Sequence, residues 1–280
     1  MNPVIELLQQ NRPLVMGILN TTPDSFSDGG RFYDPAAALE RALQMIEEGA
    51  DIIDLGGEST RPGAATVTLE DELQRVIPVI EALRKHTNTA ISIDTSKTGV
   101  MSAAVAAGAS MVNDVYGLRA PGAVEACARL DVPVCVMHMQ GEPRTMQSSP
   151  QYENVLGDIK VFLQQRVDTC VQAGIRRQRI IIDPGFGFGK TLEHNLNLLR
   201  QLDGFGDLGL PLLVGLSRKS MFGQLLGAPV DQRLAASVAA AVLAWSKGAR
   251  IFRVHDVKPT VDALKVCAAM NDAGHAVMPG

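Results

Sequence analysis

Eight short β-branched or apolar runs recur along the chain, and segments with helical spacing lie between them. The runs are LVMGILN from Leu14, DIIDLGG from Asp51, AISIDTS from Ala90, MVNDVYG from Met111, VPVCVMHM from Val132, RIIIDPGF from Arg179, LPLLVGLS from Leu210 and RIFRVHDV from Arg250. Among the intervening segments, PAAALERALQMIEEGA, LEDELQRVIPVIEALRKH, GAVEACARL, VLGDIKVFLQQRVDTCVQAG, RLAASVAAAVLAWSKGA and TVDALKVCAAMNDAG repeat apolar residues at the 3.6 period of a helix. Strands that are apolar throughout and separated by helices imply a parallel sheet whose outer face is covered. The mean interval from Leu14 to Ile251 is about 34 residues, close to the roughly 31 per unit of a 250-residue barrel. The expected fold is therefore α/β, a (β/α)8 barrel forming a single domain over residues 1–280, with barrel strands from about 14 to 257. An open doubly wound sheet is the structural competitor, but no Pro/Ser-rich linker or composition shift divides the chain.

Composition narrows the function classes. A content of 46% hydrophobic and 20% charged residues over 280 positions supports a large core. The 26 basic and 30 acidic residues give a net charge of -4, which argues against a general nucleic-acid binder. Aromatic residues make up only 4%, so no stacking platform is indicated. Cys127, Cys135, Cys170 and Cys267 are widely spaced without a CxxC pair and read as reduced, packed thiols. The N-terminal stretch lacks a basic start followed by an apolar run, and no segment approaches the ~18 apolar residues of a membrane span. A cytoplasmic protein with no membrane partner is expected. Gly49, Gly108, Gly174 and Gly248 stand where helices give way to strands and read as left-handed caps.

The ends of the strands carry the chemistry. A strand buried on both faces has no reason to hold polar groups, yet nearly every run ends in them: Asn20; Asp54 with Glu58; Asp94 with Ser96; Asn113 with Asp114; His138; Asp183; Ser217 with Lys219; Arg253, His255 and Asp256. Any one of these reads equally as a satisfied core hydrogen bond or a loop cap. Together, on the face where barrels keep their active sites, they describe a ring of donors and acceptors suited to a flat heterocycle. Arg253 and His255 share a face at the period of two and suit an anion, with Arg218 and Arg61 adding charge nearby. An internal salt bridge to Asp256 or Glu58 is the plainer alternative. Asn20 offers one oxygen to a Mg²⁺ that otherwise keeps waters and phosphate oxygens. The stretch from Pro184 to Thr191 departs from a phosphate-binding P-loop because Pro184 occupies the first glycine position. It reads instead as a tight turn presenting Phe188 to a planar ligand, or as a turn packing both its Phe side chains into the core. No GxSxG elbow is present, and a metal-dependent hydrolase would need more than the five histidines offer.

Seven ordered motifs carry a resemblance: GILNTTPDSFSDGG from Gly17, DLGGESTRPGA from Asp54, SIDTSK from Ser92, MHMQGEPRTMQ from Met137, DPGFGFGK from Asp183, GLSRKS from Gly215 and RVHDV from Arg253. From about Val15 to Lys265 the sequence resembles the dihydropteroate synthases, folate-pathway enzymes that sulfonamides inhibit. The resemblance implies a (β/α)8 barrel, usually a homodimer. It also implies a transferase that condenses 4-aminobenzoate with (7,8-dihydropterin-6-yl)methyl diphosphate, in the presence of Mg²⁺, to give 7,8-dihydropteroate and diphosphate. Position by position, it assigns Thr60, Asp94, Asn113, Asp183, Lys219, Arg253 and His255 to the pterin diphosphate. Phe26, Arg61, Pro62, Phe188 and Ser220 are assigned to the 4-aminobenzoate site, and Asn20 to the metal side. Asp94, Lys219, Arg253 and His255 are the expected catalytic set, in a mechanism where the C–O bond to diphosphate breaks before the amine attacks. A pterin-dependent methyltransferase on the same fold would not explain the TTPDSF, STRPG and SRKS segments. A noncatalytic pterin-binding paralogue would be expected to have lost loop residues such as Asn20 and Arg61, which this chain keeps.

Overall fold

The structure, a computed structural model, describes residues 1–22, 34–59, 66–142 and 145–273. After helix α1 (Pro3–Gln9), strands alternate with helices: β1 (Leu14–Asn20), α2 (Pro35–Glu47), β2 (Ile52–Gly56), α3 (Leu69–His86), β3 (Ala90–Asp94), α4 (Thr98–Ala107), β4 (Met111–Asp114), α5 (Ala123–Leu130), β5 (Val134–Met137) and α6 (Val155–Gln172). The second half continues with β6 (Ile180–Asp183), α7 (Leu192–Arg200), β7 (Leu213–Val214), α8 (Ser220–Leu226), α9 (Leu234–Ser246), β8 (Ile251–Val254) and α10 (Val257–Ala273). The strands are parallel, and β1 pairs with both β2 and β8, so the first and last strands meet. In the order β6-β5-β4-β3-β2-β1-β8-β7 the ring lacks one seam, and a bridge between Ile182 and Leu212 spans it. The result is a nearly closed (β/α)8 barrel in which all eight sequence runs become strands.

Alternation along each strand sorts side chains into two layers. Val15, Ile53, Ile91, Val112, Val134, Ile180, Val214 and Phe252 are buried outward against the helices. Met16, Ile52, Ala90, Met111, Cys135, Ile181, Leu213 and Ile251 form a separate inner cluster, to which every strand contributes. Each such fully buried Ile, Leu or Met contributes roughly 1.5–3 kcal/mol, so this floor is a solid plug rather than a pore. Helix α1 closes it from below through Val4, which is fully buried, and Asn2 caps the helix by accepting from Val4 N.

Helix α3 starts and ends where its sequence predicts: the Thr68 hydroxyl accepts from Asp71 N, three acids occupy the first turn, and Arg84, Lys85 and His86 fill the last. Gly49, Gly108, Gly174 and Gly248 all adopt positive φ at helix-to-strand junctions, as expected of the caps. No cysteine is in a disulfide, and no helix among the described residues is long and apolar enough to cross a membrane.

Candidate active site

Two residues above the inner floor, the same alternation delivers polar side chains into the barrel mouth. On β2, β6 and β8 the step runs from Ile52 to Asp54, Ile181 to Asp183 and Ile251 to Arg253; on β4 it runs from Met111 to Asn113. Asp94 follows Ala90 by four residues on β3 and therefore shares its face. All four carboxylate and amide residues of this layer are buried, with Asp54 at 0% exposure.

Arg253 organises the layer. Its Nε donates to Asp54 Oδ2 and its Nη2 to Asp94 Oδ2, each at 2.6 Å. Burial works against this charge, but Asp54 and Asp94 outweigh it and hold the guanidinium above its ordinary pKa. Asp54 also accepts from Asn113 Nδ2 at 3.2 Å. A carboxylate only accepts, so this contact fixes the amide orientation and turns Asn113 Oδ1 away from Asp54 as a ligand acceptor. Asp183 accepts from Gly185 N at 2.7 Å through Oδ1 and keeps Oδ2 for a ligand.

Burial pushes the Asp183 carboxyl up to about 6, while the Gly185 N–H, Lys219 and Lys190 pull it down. It pushes Asp94 up to about 7 against the opposing pull of Arg253, with Asp54, Asp114 and Glu72 adding to the rise. Lys219, just after β7, is lowered to about 8 by burial and by Arg253, and its Nζ sits 4.3 Å from the centroid of the Phe188 ring. Asn113, Asp183, Phe188, Lys219 and Arg253 line one cleft. It brings carboxylate and amide acceptors, a cation and an aromatic ring into one cleft, which suits a planar heterocycle carrying an N–H edge and a carbonyl.

His255 lies one residue beyond β8. The Ser217 hydroxyl accepts from His255 N at 3.2 Å and lies 3.1 Å from Nδ1, which anchors the ring through that nitrogen. The contact at Nδ1 leaves Nε2 as the nitrogen not engaged by Ser217. Burial and the nearby Arg253 and Arg218 lower His255 to about 4, making it a neutral donor at neutral pH rather than a cation. Ser220, by contrast, is exposed at the first turn of α8. Asn20 ends β1, half-buried, beside Gly56 in register. Phe26, Thr60, Arg61 and Pro62 lie outside the described residues.

Several members of the expected ring do other work. Asp114 follows Asn113 directly and therefore faces outward, where it accepts from Tyr116 N, Leu118 N and the Ser96 hydroxyl as a loop cap. His138 also points away from the cleft, its Nδ1 3.0 Å from Lys190 Nζ and its ring edge-on to Phe162. Arg218 spends its charge on Asp256, with Nε to Oδ2 at 2.9 Å, which is the plainer alternative of an internal salt bridge. Glu58 accepts from Val67 N and from Lys97 Nζ, tying the two sides of the segment after β2 together. Lys97 also bonds the fully buried Glu72 at 2.5 Å.

Phe186 packs in the core at 1% exposure, whereas Phe188 stays half-buried at the cleft, so the two aromatic residues of the turn divide the two roles between them. Gly185 holds φ +70°, and a Cβ there would overlap the His138 carbonyl oxygen. Asp54, which the sequence places among the ring's three carboxylates facing a ligand, instead bonds Arg253 and Asn113 and orients two pocket residues at once. The partner pattern behind that role depends on inward side chains of β2, β4 and β8, which are not paired to one another, converging across the barrel, which local spacing does not reveal.

Similarity to known proteins agrees with this chemistry. The sequence profile of the family described as pterin binding enzyme matches residues 16–255. A dihydropteroate synthase of Haemophilus influenzae is 52% identical over 261 residues, covering 93% of this chain and 95% of its own. The crystal structure of the Yersinia pestis dihydropteroate synthase with a sulfonamide drug complex superposes with a TM-score of 0.90 at 52% identity, over 93% of this chain and 95% of that one. A Xanthomonas albilineans dihydropteroate synthase with 4-aminobenzoic acid gives a TM-score of 0.88 at 52% identity, over 93% and 94% of the two chains.

Proposed function

The chain belongs to the pterin-binding enzymes, among the dihydropteroate synthases, and from that premise we propose how its residues carry the reaction. It condenses 4-aminobenzoate with (7,8-dihydropterin-6-yl)methyl diphosphate to give 7,8-dihydropteroate and diphosphate. Asp183 and Asn113 accept from the N–H edge of the pterin, and Lys219 donates to its carbonyl side. The observation that carries this reading is the cleft itself, in which Asp183, Asn113, Lys219 and Arg253 converge from separate strand ends.

In the proposed mechanism the C–O bond to diphosphate breaks first, and the electron-rich dihydropterin spreads the resulting positive charge. Asp94, held by Arg253, faces that charge electrostatically, while His255 and Arg253 stabilise the departing diphosphate. The amine of 4-aminobenzoate then forms the C–N bond and loses one proton. An aniline nitrogen carries its lone pair uncharged at neutral pH, so no strong general base is required. Phe188 and Ser220 would contact 4-aminobenzoate, together with Phe26, Arg61 and Pro62; Thr60 would contact the diphosphate.

No group of three or more acidic, His or Cys ligands exists among the described residues. One amide at Asn20 fits a Mg²⁺ that arrives with the diphosphate and keeps oxygen ligands from it and from water. Bound there, the metal would neutralise diphosphate charge. The exposed Leu225, Leu226, Val230 and Leu234, close together in the chain at the end of α8 and the start of α9, support a homodimer through this region. Unpaired thiols favour a cytoplasmic location.

Pyrophosphate release by the purified protein, given the pterin diphosphate and Mg²⁺ with and without 4-aminobenzoate, tests the whole reading. Release coupled to dihydropteroate formation is expected. Saturable pterin binding without release would leave a binding protein, and no pterin binding would undo the site assignment.

A further inference from the structure

The β6–α7 turn contains a buried lysine that the reaction does not use. Lys190 is 3% exposed, and its Nζ donates to Gly185 O at 2.8 Å and to Phe188 O at 3.0 Å, with His138 Nδ1 as third partner at 3.0 Å. These are as many partners as an ammonium has protons, so nothing is left over for a ligand. His138 is itself fixed, because its backbone N donates to Asp183 O and its ring packs edge-on to Phe162 at 4.9 Å. Lys190 therefore ties two carbonyls of the turn to the wall of the barrel from the inside. One of the two belongs to Phe188, the residue whose ring faces Lys219 in the cleft.

We propose that Lys190 is a positioning residue that sets the pose of the Phe188 ring for the second substrate through the carbonyls of Gly185 and Phe188. The proposal rests on the reading of Phe188 as a wall of the 4-aminobenzoate site. Asn195 supports the turn from outside, accepting from Gly187 N at 2.8 Å, and Tyr152 donates to Gly189 O, but neither touches the Phe188 backbone. Removing the Lys190 ammonium would leave the Phe188 carbonyl without its interior donor and the Phe188 backbone held only by its N–H to Gly185 O at 3.1 Å, so the ring would be set less firmly. A wall that serves ground state and transition state alike changes KM and spares kcat.

The test is a double-mutant cycle in steady-state kinetics on the full chain at saturating pterin diphosphate, with Lys190→Met, Phe188→Leu and both together. Each single variant is expected to raise the 4-aminobenzoate KM about fivefold or more while kcat stays within about twofold, and the double variant is expected to match Phe188→Leu alone. An unchanged KM in Lys190→Met, or a Lys190→Met factor that multiplies fully onto Phe188→Leu, would overturn the positioning role. If Phe188→Leu alone leaves the KM unchanged, the wall reading fails, and the proposal fails with it. Lys190→Leu, which also removes every donor, carries the same cycle if Lys190→Met does not fold.

Discussion

Arg253 and Asp54 meet across the width of β1, Nε to Oδ2 at 2.6 Å, although 199 positions separate them in the chain. The contact exists because β1 joins both β2 and β8, which puts the first and last thirds of the chain into one polar layer. It aims Arg253 at Asp94 and, through Asn113, fixes the face that an incoming heterocycle meets.

Asp54→Asn keeps the volume of this residue and removes its charge. Hydrogen bonds to charged groups are worth about 1.5–3 kcal/mol, so pterin affinity is expected to fall about 10- to 100-fold as Arg253 and Asn113 lose their common acceptor. Isothermal titration with a dihydropterin ligand measures this, and unchanged affinity would show that Asp54 orients neither residue.

The fold of the ligand-free protein is stabilised when Asp183 is protonated. Its carboxyl lies at about 6 in the fold against an ordinary value of 3.8, so the folded state holds the proton more tightly than the unfolded chain. This contribution is fully present below the unfolded value and is lost as pH rises through about 6. Asp183→Asn is therefore expected to be more stable than its parent at pH 8, by at most about 3 kcal/mol, with the gap closing near pH 4. Urea unfolding at both pH values checks the sign, and the same variant is expected to lose pterin binding.

His255 is kept neutral by burial and by the nearby Arg253 and Arg218, and we expect Ser217 to donate to its Nδ1. In the ligand-free protein its ¹⁵N resonances are expected to show the Nε2-protonated form at pH 7 and no protonation until the pH nears 4. Ser217→Ala releases that tautomer and is expected to cost about tenfold in kcat, less than the roughly 10²–10³ for removing a transition-state donor outright. A histidine that already titrates near 6.5 would contradict this picture.

Lys97 is the counter-charge of a buried acid. Glu72 is fully buried, and Lys97→Met would leave it without its ion-pair partner, a loss expected to cost about 3–5 kcal/mol of stability. Glu72→Leu in the same background is expected to recover part of that loss. Denaturant midpoints of the single and double variants decide it; equal values for Lys97→Met and the parent would rule out the buried pair.

Much of this architecture is legible in the amino-acid sequence. The eight apolar runs are the eight strands because a barrel strand is buried on both faces and leaves a continuous signal. Helices α1 and α8 leave no comparable trace, because each spans only 7 residues. The polar ring is legible as a ring but not residue by residue. Adjacent residues such as Asn113 and Asp114 cannot both face the barrel axis, so one of each such pair has to serve elsewhere. Partners are the illegible part. That Arg218 takes Asp256, and that Arg253 takes Asp54 and Asp94 instead, depends on which strands become neighbours around the ring.

The last seam of that ring is closed by the bridge from Ile182 to Leu212, and β7 beyond it is only two residues long. Asp183 stands on one bank of this seam and Lys219 on the other. In the proposed binding mode, a pterin held by both would fasten the two banks together, and the substrate would act as a clasp on the barrel wall. Occupancy of the pocket would then register far from the reacting carbon, as slower amide exchange along β7 and a ring that breathes less.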